Sequence, residues 1–534
     1  MTEIADYIVI GGGSAGAVLA ARLSEQSSTK VHLIEAGGES KSLLTQIPVG
    51  MAFMIGNPKF DWMYAQDPDP TIGDRAFCWS GGKMLGGSSS INGQVHIRGT
   101  RDDYDNWARL GATGWDFNSC LPYFIKSENF SGPPSQWRGK FGPVSVEAMR
   151  RHHALNRPFL ESCDEFGMPT LSDYADGDME GAFLTVATQR KGWRCSTEKA
   201  YLRPARKRPN LKITTHAEVR RIIFEGRRAV AVEAIVEGRE TTFHASREII
   251  ISAGALGSPG LLLRSGVGPA EQLKAHGIDV VHDAPNVGEN LIEHMNVSVS
   301  KFVNVSTYNA ETSRFHMIKH LMHLLLFKSG ALVHPVVQAL ALARTAPELA
   351  HPDVQLSFCT WAKSFKDDGI GAKGLPMEIE PAVQIVANIC HPYSRGRVYL
   401  SPQDPGGVRI SFNALSDERD LQTLIRAGKL LERIFSAEAW RGIVIGNATP
   451  DPTPTDDHAW EEFVRETTFQ SYHPAGTCRM GSDNQSVVDP DARVRGVESL
   501  RVVDASIMPT LISANTNAPT IMIGEKIADR IMHP

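Results

Sequence analysis

Between an apolar run, Asp6 to Ile10, and a segment of helical apolar spacing, AVLAARLSE, the chain carries Gly11-Gly12-Gly13-Ser14-Ala15-Gly16; VHLIEA follows as a second buried-strand pattern. A β-α-β unit with G-x-G-x-x-G at its first turn leaves few folds open. Gly11 permits the tight turn, Gly13 lets backbone approach a pyrophosphate, and Gly16 lets the helix pack on the sheet. The helix N-terminus then faces the phosphates, and Ser14 and Ala15 of the turn count among the cofactor-binding residues. Glu35, followed by Ala36, ends the second strand about twenty residues on, where a carboxylate takes ribose hydroxyls and repels a 2′-phosphate. The pattern predicts a dinucleotide site on a Rossmann-like α/β domain. It reads only the ADP half that FAD and NAD share, so it does not choose between them.

The chain has 534 residues, 42% hydrophobic and 22% charged, enough for a large core and two domains. Its net charge of -5 and dispersed Lys and Arg exclude a basic nucleic-acid footprint. Seven scattered cysteines, without a C-x-x-C pair or zinc-type histidine spacing, read as reduced thiols, and no metal is expected. The start, MTEIADYIVIGGG, is acidic and has no signal-type apolar core, so the expectation is a cytoplasmic protein. No window approaches the roughly 20 apolar residues that span a bilayer. His316 to Phe327, HMIKHLMHLLLF, reads as an amphipathic or lid helix, with peripheral contact at the inner face of a membrane as the other reading.

Along the chain, Asp102 to Glu128 has helical spacing, Ser131 to Pro143 reads as a loop, and Gly142 to Ala148 as a strand. Leu211 to Ile251 returns to strands joined by tight turns. Phe302 to Trp440 mixes helices with VQLSF, AVQIVANI and GRVYLS, while SLRVVDASIMP and an apolar helix from Thr520 to Met532 resume the first domain. The expected class is α/β: a Rossmann-like FAD-binding domain assembled from residues 1–155, 211–300 and 456–534, plus an α+β substrate domain with an antiparallel sheet from 156–210 and 301–455. The site would lie at the seam.

Gly82-Lys83-Met84-Leu85-Gly86-Gly87-Ser88-Ser89-Ser90-Ile91-Asn92 resembles the first signature of the glucose-methanol-choline (GMC) flavoprotein oxidoreductases, and Gly254-Ala255-Leu256-Gly257-Ser258-Pro259 through Gly268 the second. Asn286-Val287-Gly288-Glu289-Asn290-Leu291, His473-Pro474, Asp504-Ala505-Ser506 and Asn515 to Thr520 match in the same order. The resemblance implies FAD. It places Leu85, Gly86, Gly87, Ser88, Asn92 and Gly93 against the isoalloxazine ring, with Asn92 as a polar fixing group. It also assigns Val219 to the adenine end, Ala253, Gly254, Asp504 and Ala505 to the pyrophosphate or ribityl chain, and Asn517, Pro519 and Thr520 to the cofactor. In some members a histidine of the first loop bonds covalently to flavin; Ile91 stands at that position, so noncovalent FAD is expected. His96 replaces an aromatic residue and reads as a surface or core-edge imidazole; Glu293 replaces an aspartate before His294 in a segment expected to pack beside the cofactor.

Within Ser471-Tyr472-His473-Pro474, the resemblance puts His473 before flavin N5 as the base that takes the hydroxyl proton while the α-hydride goes to the flavin. Asn517 resembles the second family position, filled by His or Asn, where its amide orients the alcohol oxygen. His391-Pro392 reads as structural. The expected activity is oxidation of a primary alcohol to an aldehyde, with a quinone or other carrier as electron acceptor. An oxidase making hydrogen peroxide is the alternative, and a hydroxynitrile lyase with structural FAD is the alternative of another class. Choline needs a carboxylate or aromatic cage; GALVHPVVQALAL, Gly330 to Leu342, supplies neither, which favours an uncharged alcohol, with Trp361 or Phe365 as other pocket candidates.

Overall fold

The structure, a computed structural model, describes residues 4–149, 152–311, 314–364, 377–401 and 407–533. Phe365 lies outside the described residues. The first sheet is built from β1 (Ala5–Ile10), β2 (Val31–Ile34), β3 (Leu211–Thr214), β4 (Ala217–Glu225), β5 (Arg228–Val236) and β6 (Arg239–Ile251), in the order β3-β2-β1-β6-β5-β4. The second contains β7 (Met295–Val303), β8 (Ala339–Ala343), β9 (Val354–Cys359), β10 (Ala382–Ile389), β11 (Val444–Thr449) and β12 (Phe469–Gln470), in the order β8-β9-β10-β7-β11 with β12 also on β7. A short strand from far along the chain, β13 (Leu500–Val502), pairs back onto β6.

The first sheet joins two styles of pairing through β6. Its second half runs parallel to β1 and β13, while its first half is antiparallel to β5. Parallel strands need cover on both faces, and β1 and β2 are accordingly almost continuous apolar runs, with Ile8, Val9 and Leu33 fully buried. One face is covered by α1 (Ser14–Leu23), against which α6 (Asn517–Met532) lies side by side. Gly524 makes that approach possible, since a Cβ there would stand 3.1 Å from both Ala15 O and Val18 Cβ. The same pair of helices is tied by Arg22, whose Nη2 donates to Glu525 Oε1 at 2.8 Å.

The second sheet is antiparallel throughout, and β7 alternates apolar with polar residues from Met295 to Ser300. On one face Val297, Val299, Ile385, Ala387, Leu356 and Phe358 pack with α5 (Glu418–Ser436), forming a second core distinct from that of the first sheet. Each such side chain, when fully buried, contributes roughly 1.5–3 kcal/mol. Asp417 caps α5 by accepting from Arg419 N, which stops the helix from extending backward. The opposite face carries Asn296, Ser298 and Ser300 on β7, opposite Asn388, Val386 and Gln384 on β10. The expected division after residue 300 runs through β7, because Met295 to Val303 all belong to this sheet.

Of the other helices, α2 (Arg101–Arg109) begins with a capping box of Thr100 and Asp103. Helix α3 (Gly254–Arg264) follows β6 directly. Helix α4 (Arg314–Phe327) covers the stretch read as a lid or surface helix; Phe315, Ile318, Leu325 and Phe327 are exposed, so apolar residues occupy its outer surface and not one inward stripe. Among the described residues no helix is long and apolar enough to cross a membrane.

Candidate active site

One cavity of about 730 Å³ runs from the β1–α1 turn to the polar face of the second sheet. Its first end is made of backbone. Gly11 has φ +95° and no room for a side chain, since a Cβ would meet Ser252 O at 2.4 Å. Gly13 is different: a Cβ there meets nothing nearer than Gly87 Cα at 4.0 Å, so its missing side chain is open cavity, the shape of a phosphate cradle. Glu35 accepts from Gly12 N and Gly37 N at 2.7 Å each, one amide per carboxylate oxygen, leaving each oxygen a second lone pair for a ribose hydroxyl. Burial pushes its carboxyl above the usual range.

Ser14, Ala15, Ala36, Gly87, Ser88, Asn92, Gly93, Val219, Ala253, Gly254, Asp504, Ala505 and Thr520 line this cavity as the sequence led one to expect. Gly16, Leu85, Gly86 and Pro519 stand behind the lining. Gly16 packs α1 on the β1 turn, where a Cβ would collide with Gly11 O at 1.9 Å; Gly86 N donates to Gly12 O at 2.7 Å; Leu85 and Pro519 are buried supports. Asp504 accepts from Gly254 N at 2.9 Å and Ser258 Oγ at 2.5 Å, so its carboxylate holds the β6–α3 turn in place. In Asn92, Oδ1 accepts from Gln94 N and from Arg194 Nη1, at 3.1 and 2.8 Å, so the protein fixes its oxygen. Arg194 is fully buried, also donates to Asn92 O at 2.7 Å, and is held down to about 9 by burial. The parts fit FAD: glycine cradle, ribose carboxylate, and the N-termini of α1 and α6 converging on the same space.

His473 sits at the other end, buried and flanked by polar groups on both ring nitrogens. Nδ1 lies 3.0 Å from His294 Nδ1, and Nε2 lies 2.9 Å from Asn515 Nδ2. His294 Nε2 is 3.2 Å from the Cys390 carbonyl oxygen, which can only accept. The proton of a neutral His294 therefore sits on Nε2, its Nδ1 is bare, and His473 Nδ1 must be the donor between the two rings. A neutral His473 is thereby left with a bare Nε2, to which the Asn515 amide donates. Burial holds His473 down to about 4 and His294 well below the ordinary imidazole value, so both rings are neutral near pH 7.

Asn515, not Asn517, meets His473. Asn517 is the first residue of α6, and its Oδ1 accepts from Ser14 Oγ at 2.8 Å, which joins the two helix N-termini at the cofactor end. Asn515 precedes the helix and points the other way; Pro519 was the available signal, because a proline sits comfortably only in a first helical turn and so dates the start of α6. The Glu293–His294 segment packs on His473 itself: Glu293 Oε1 and Oε2 accept from His473 N at 2.9 and 2.8 Å, and burial pushes that carboxyl up to about 8. His391 supports the loop before Asn515, with Nε2 2.6 Å from Asp103 Oδ1, while Asp103 Oδ2 accepts from Ser513 N at 2.9 Å. His96 is in the interior, only 3% exposed and 3.2 Å from Glu128, contrary to a surface or core-edge place. Of Gly330 to Leu342, Val336 and Val337 line the cavity, as does Trp361.

The N- and C-terminal profiles of the GMC oxidoreductase family match residues 5–296 and 392–524. Proteins named oxygen-dependent choline dehydrogenase from Brucella canis and Sinorhizobium fredii are 37% and 38% identical, over 99% of this chain and 95% of theirs. Among solved structures, a pyridoxine 4-oxidase from Mesorbium loti has a TM-score of 0.88 at 28% identity, covering 99% of both chains. A formate oxidase of Aspergillus oryzae, solved in work on modification of its FAD, has a TM-score of 0.91 at 24% identity, covers 100% of this chain and 99% of its own, and speaks to the fold alone.

Proposed function

The chain belongs to the GMC oxidoreductases, FAD enzymes of alcohol-type substrates, and from that premise we propose that it oxidises an uncharged primary alcohol to the aldehyde, with His473 as base and Asn515 beside it. The observation that carries this reading is the directed chain Cys390 O, His294, His473, Asn515, which leaves a lone pair on His473 Nε2. An alcohol oxygen entering between Nε2 and the Asn515 amide would give its proton to the first and accept a hydrogen bond from the second. Bound FAD supplies the hydride acceptor. Gly13, Ser14, Glu35, Gly254 and Asn517 are the residues that would hold it, and Ile91, which lines the cavity, has no nucleophile to offer, which supports noncovalent binding. We divide the chain accordingly into a cofactor domain around the first sheet and a substrate domain around the second, exchanging before Met295.

The proposed electron acceptor is a quinone or other carrier. The exposed apolar surface of α4, beside Lys319 and Lys328, is compatible with peripheral contact at a membrane from the cytoplasmic side. A second reading, an oxidase making hydrogen peroxide, draws on the words oxygen-dependent and oxidase in the names of related proteins. Choline, the substrate in the curated relatives' names, is the second substrate reading: Trp361, Phe469 and Tyr472 offer it aromatic faces, while the carboxylates lining the cavity, Glu35, Glu218 and Asp504, belong to the nucleotide end.

The test is an anaerobic visible spectrum of the purified protein during addition of primary alcohols, choline included, followed by air. Bleaching by an uncharged alcohol is the expected result. Rapid recolouring in air would move the assignment to oxidase. A yellow protein that stays oxidised with every alcohol would end the alcohol reading and turn attention to cyanohydrin cleavage.

A further inference from the structure

An antiparallel layer usually turns its polar face to water. Here that face is buried and forms the wall of the cavity beside His473. The register places Asn296, Asn388 and Gln355 in one row across β7, β10 and β9, with Gln384 four residues away along β10 on the same face. All four are buried, and all four line the cavity.

Ser471, two residues before His473, is bound to this wall. Its Oγ accepts from Asn296 Nδ2 at 3.0 Å and from Asn388 Nδ2 at 2.9 Å. Two incoming N–H groups use both lone pairs, so the hydroxyl proton is left to donate elsewhere. Asn296 Oδ1, Asn388 Oδ1 and Gln384 Nε2 are buried without a hydrogen-bond partner. Unpaired amides at this depth are costly, and the partner that suits two bare amide oxygens and one amide N–H is a hydroxyl, which donates to the first and accepts from the second. Among the described residues of this wall, Lys363 brings a positive charge, with Nζ 4.6 Å from the Phe469 ring centroid.

We infer that the substrate is a neutral alcohol carrying further hydroxyl groups along its chain, a polyol-type molecule held by the Asn296–Asn388–Ser471 cluster, and not a plain alkanol or a quaternary ammonium alcohol. This rests on the proposed alcohol oxidation at His473 and specifies its substrate class. The reacting hydroxyl meets His473 and Asn515, and the remaining oxygens meet the amide wall. Val336 and Val337, from the apolar stretch Gly330 to Leu342, line the same cavity as this wall.

The experiment compares kcat/KM for flavin reduction by glycerol, erythritol and triethylene glycol with that for 1-butanol, 1-hexanol and choline, in the wild-type holoenzyme and in Asn296→Leu and Asn388→Leu. The expected result is at least about a tenfold preference in kcat/KM for one of the oxygen-rich alcohols over 1-butanol, and a collapse of that ratio in the leucine variants. A first rank for 1-hexanol or choline overturns the inference, as does an equal loss for every substrate in variants that retain flavin and a wild-type melting temperature. If either variant fails to fold, the wild-type ranking decides. Failure of every alcohol to bleach the flavin refutes alcohol oxidation itself, a different outcome from a wrong ranking.

Discussion

The two ends of the cavity are built by opposite means. The nucleotide end is made of turns whose glycines leave space or approach closely, so a few contiguous residues determine it. The substrate end is made of side chains brought together from β7, β9, β10 and β12, over more than a hundred residues of sequence. A backbone cradle tolerates almost no substitution and recognises a constant ligand; a side-chain wall can be altered one residue at a time and recognises a variable one. Conservation of cofactor and diversity of substrate are then two consequences of one architecture.

That contrast predicts a descending series of effects. Gly13→Val should remove flavin altogether while the protein still unfolds cooperatively, because the added methyls fall into the cradle and not into neighbouring chain; a yellow Gly13→Val protein would dissolve the distinction between the ends. His473→Ala should keep its flavin and lose about 10²–10⁴-fold in the rate of reduction by alcohol, read by anaerobic stopped flow. Asn515→Ala should slow that step about tenfold. Asn517→Ala should leave the rate nearly unchanged and weaken flavin retention on dilution; interchanged phenotypes would restore the expectation from sequence.

The smallest effect is on pH dependence. An imidazole with its ordinary value of 6.5 would lose its bare nitrogen as pH falls through that point. Burial lowers the value for His473 to about 4, so the neutral base persists, and the reduction rate should stay level from about pH 8 to pH 5 and fall only below that. The same shift makes stability fall as pH drops below 6.5, since the unfolded chain gains a proton that the folded one refuses until about pH 4. A rate that halves near pH 6.5 would mean that His473 is more hydrated than the structure has it.

The β1–α1–β2 unit was legible because its constraints are local. Asp6 to Ile10, AVLAARLSE and VHLIEA fall on β1, α1 and β2, and the strands of Leu211 to Ile251 and the final helix also fall where patterning put them. Asn515 was missed because Asn515-Thr516-Asn517 offers two equivalent amides, and the difference between them is which one precedes the helix. His294 was read as packing because nothing in Asn290 to His294 reveals a partner 179 residues away. The amide wall was written in VQLSF and AVQIVANI as alternation, but alternation alone says that one face is polar, not that the polar face is buried.

The bond between Ser14 and Asn517 spans 503 positions of the chain, as does that between Arg22 and Glu525. During synthesis at roughly 5–20 residues per second, the β1–α1 turn must wait between roughly 25 and 100 s for the helix that completes it. The glycine cradle is thus complete only once α6 has been made, and a chain interrupted anywhere between the two carries the turn without the helix that closes on it.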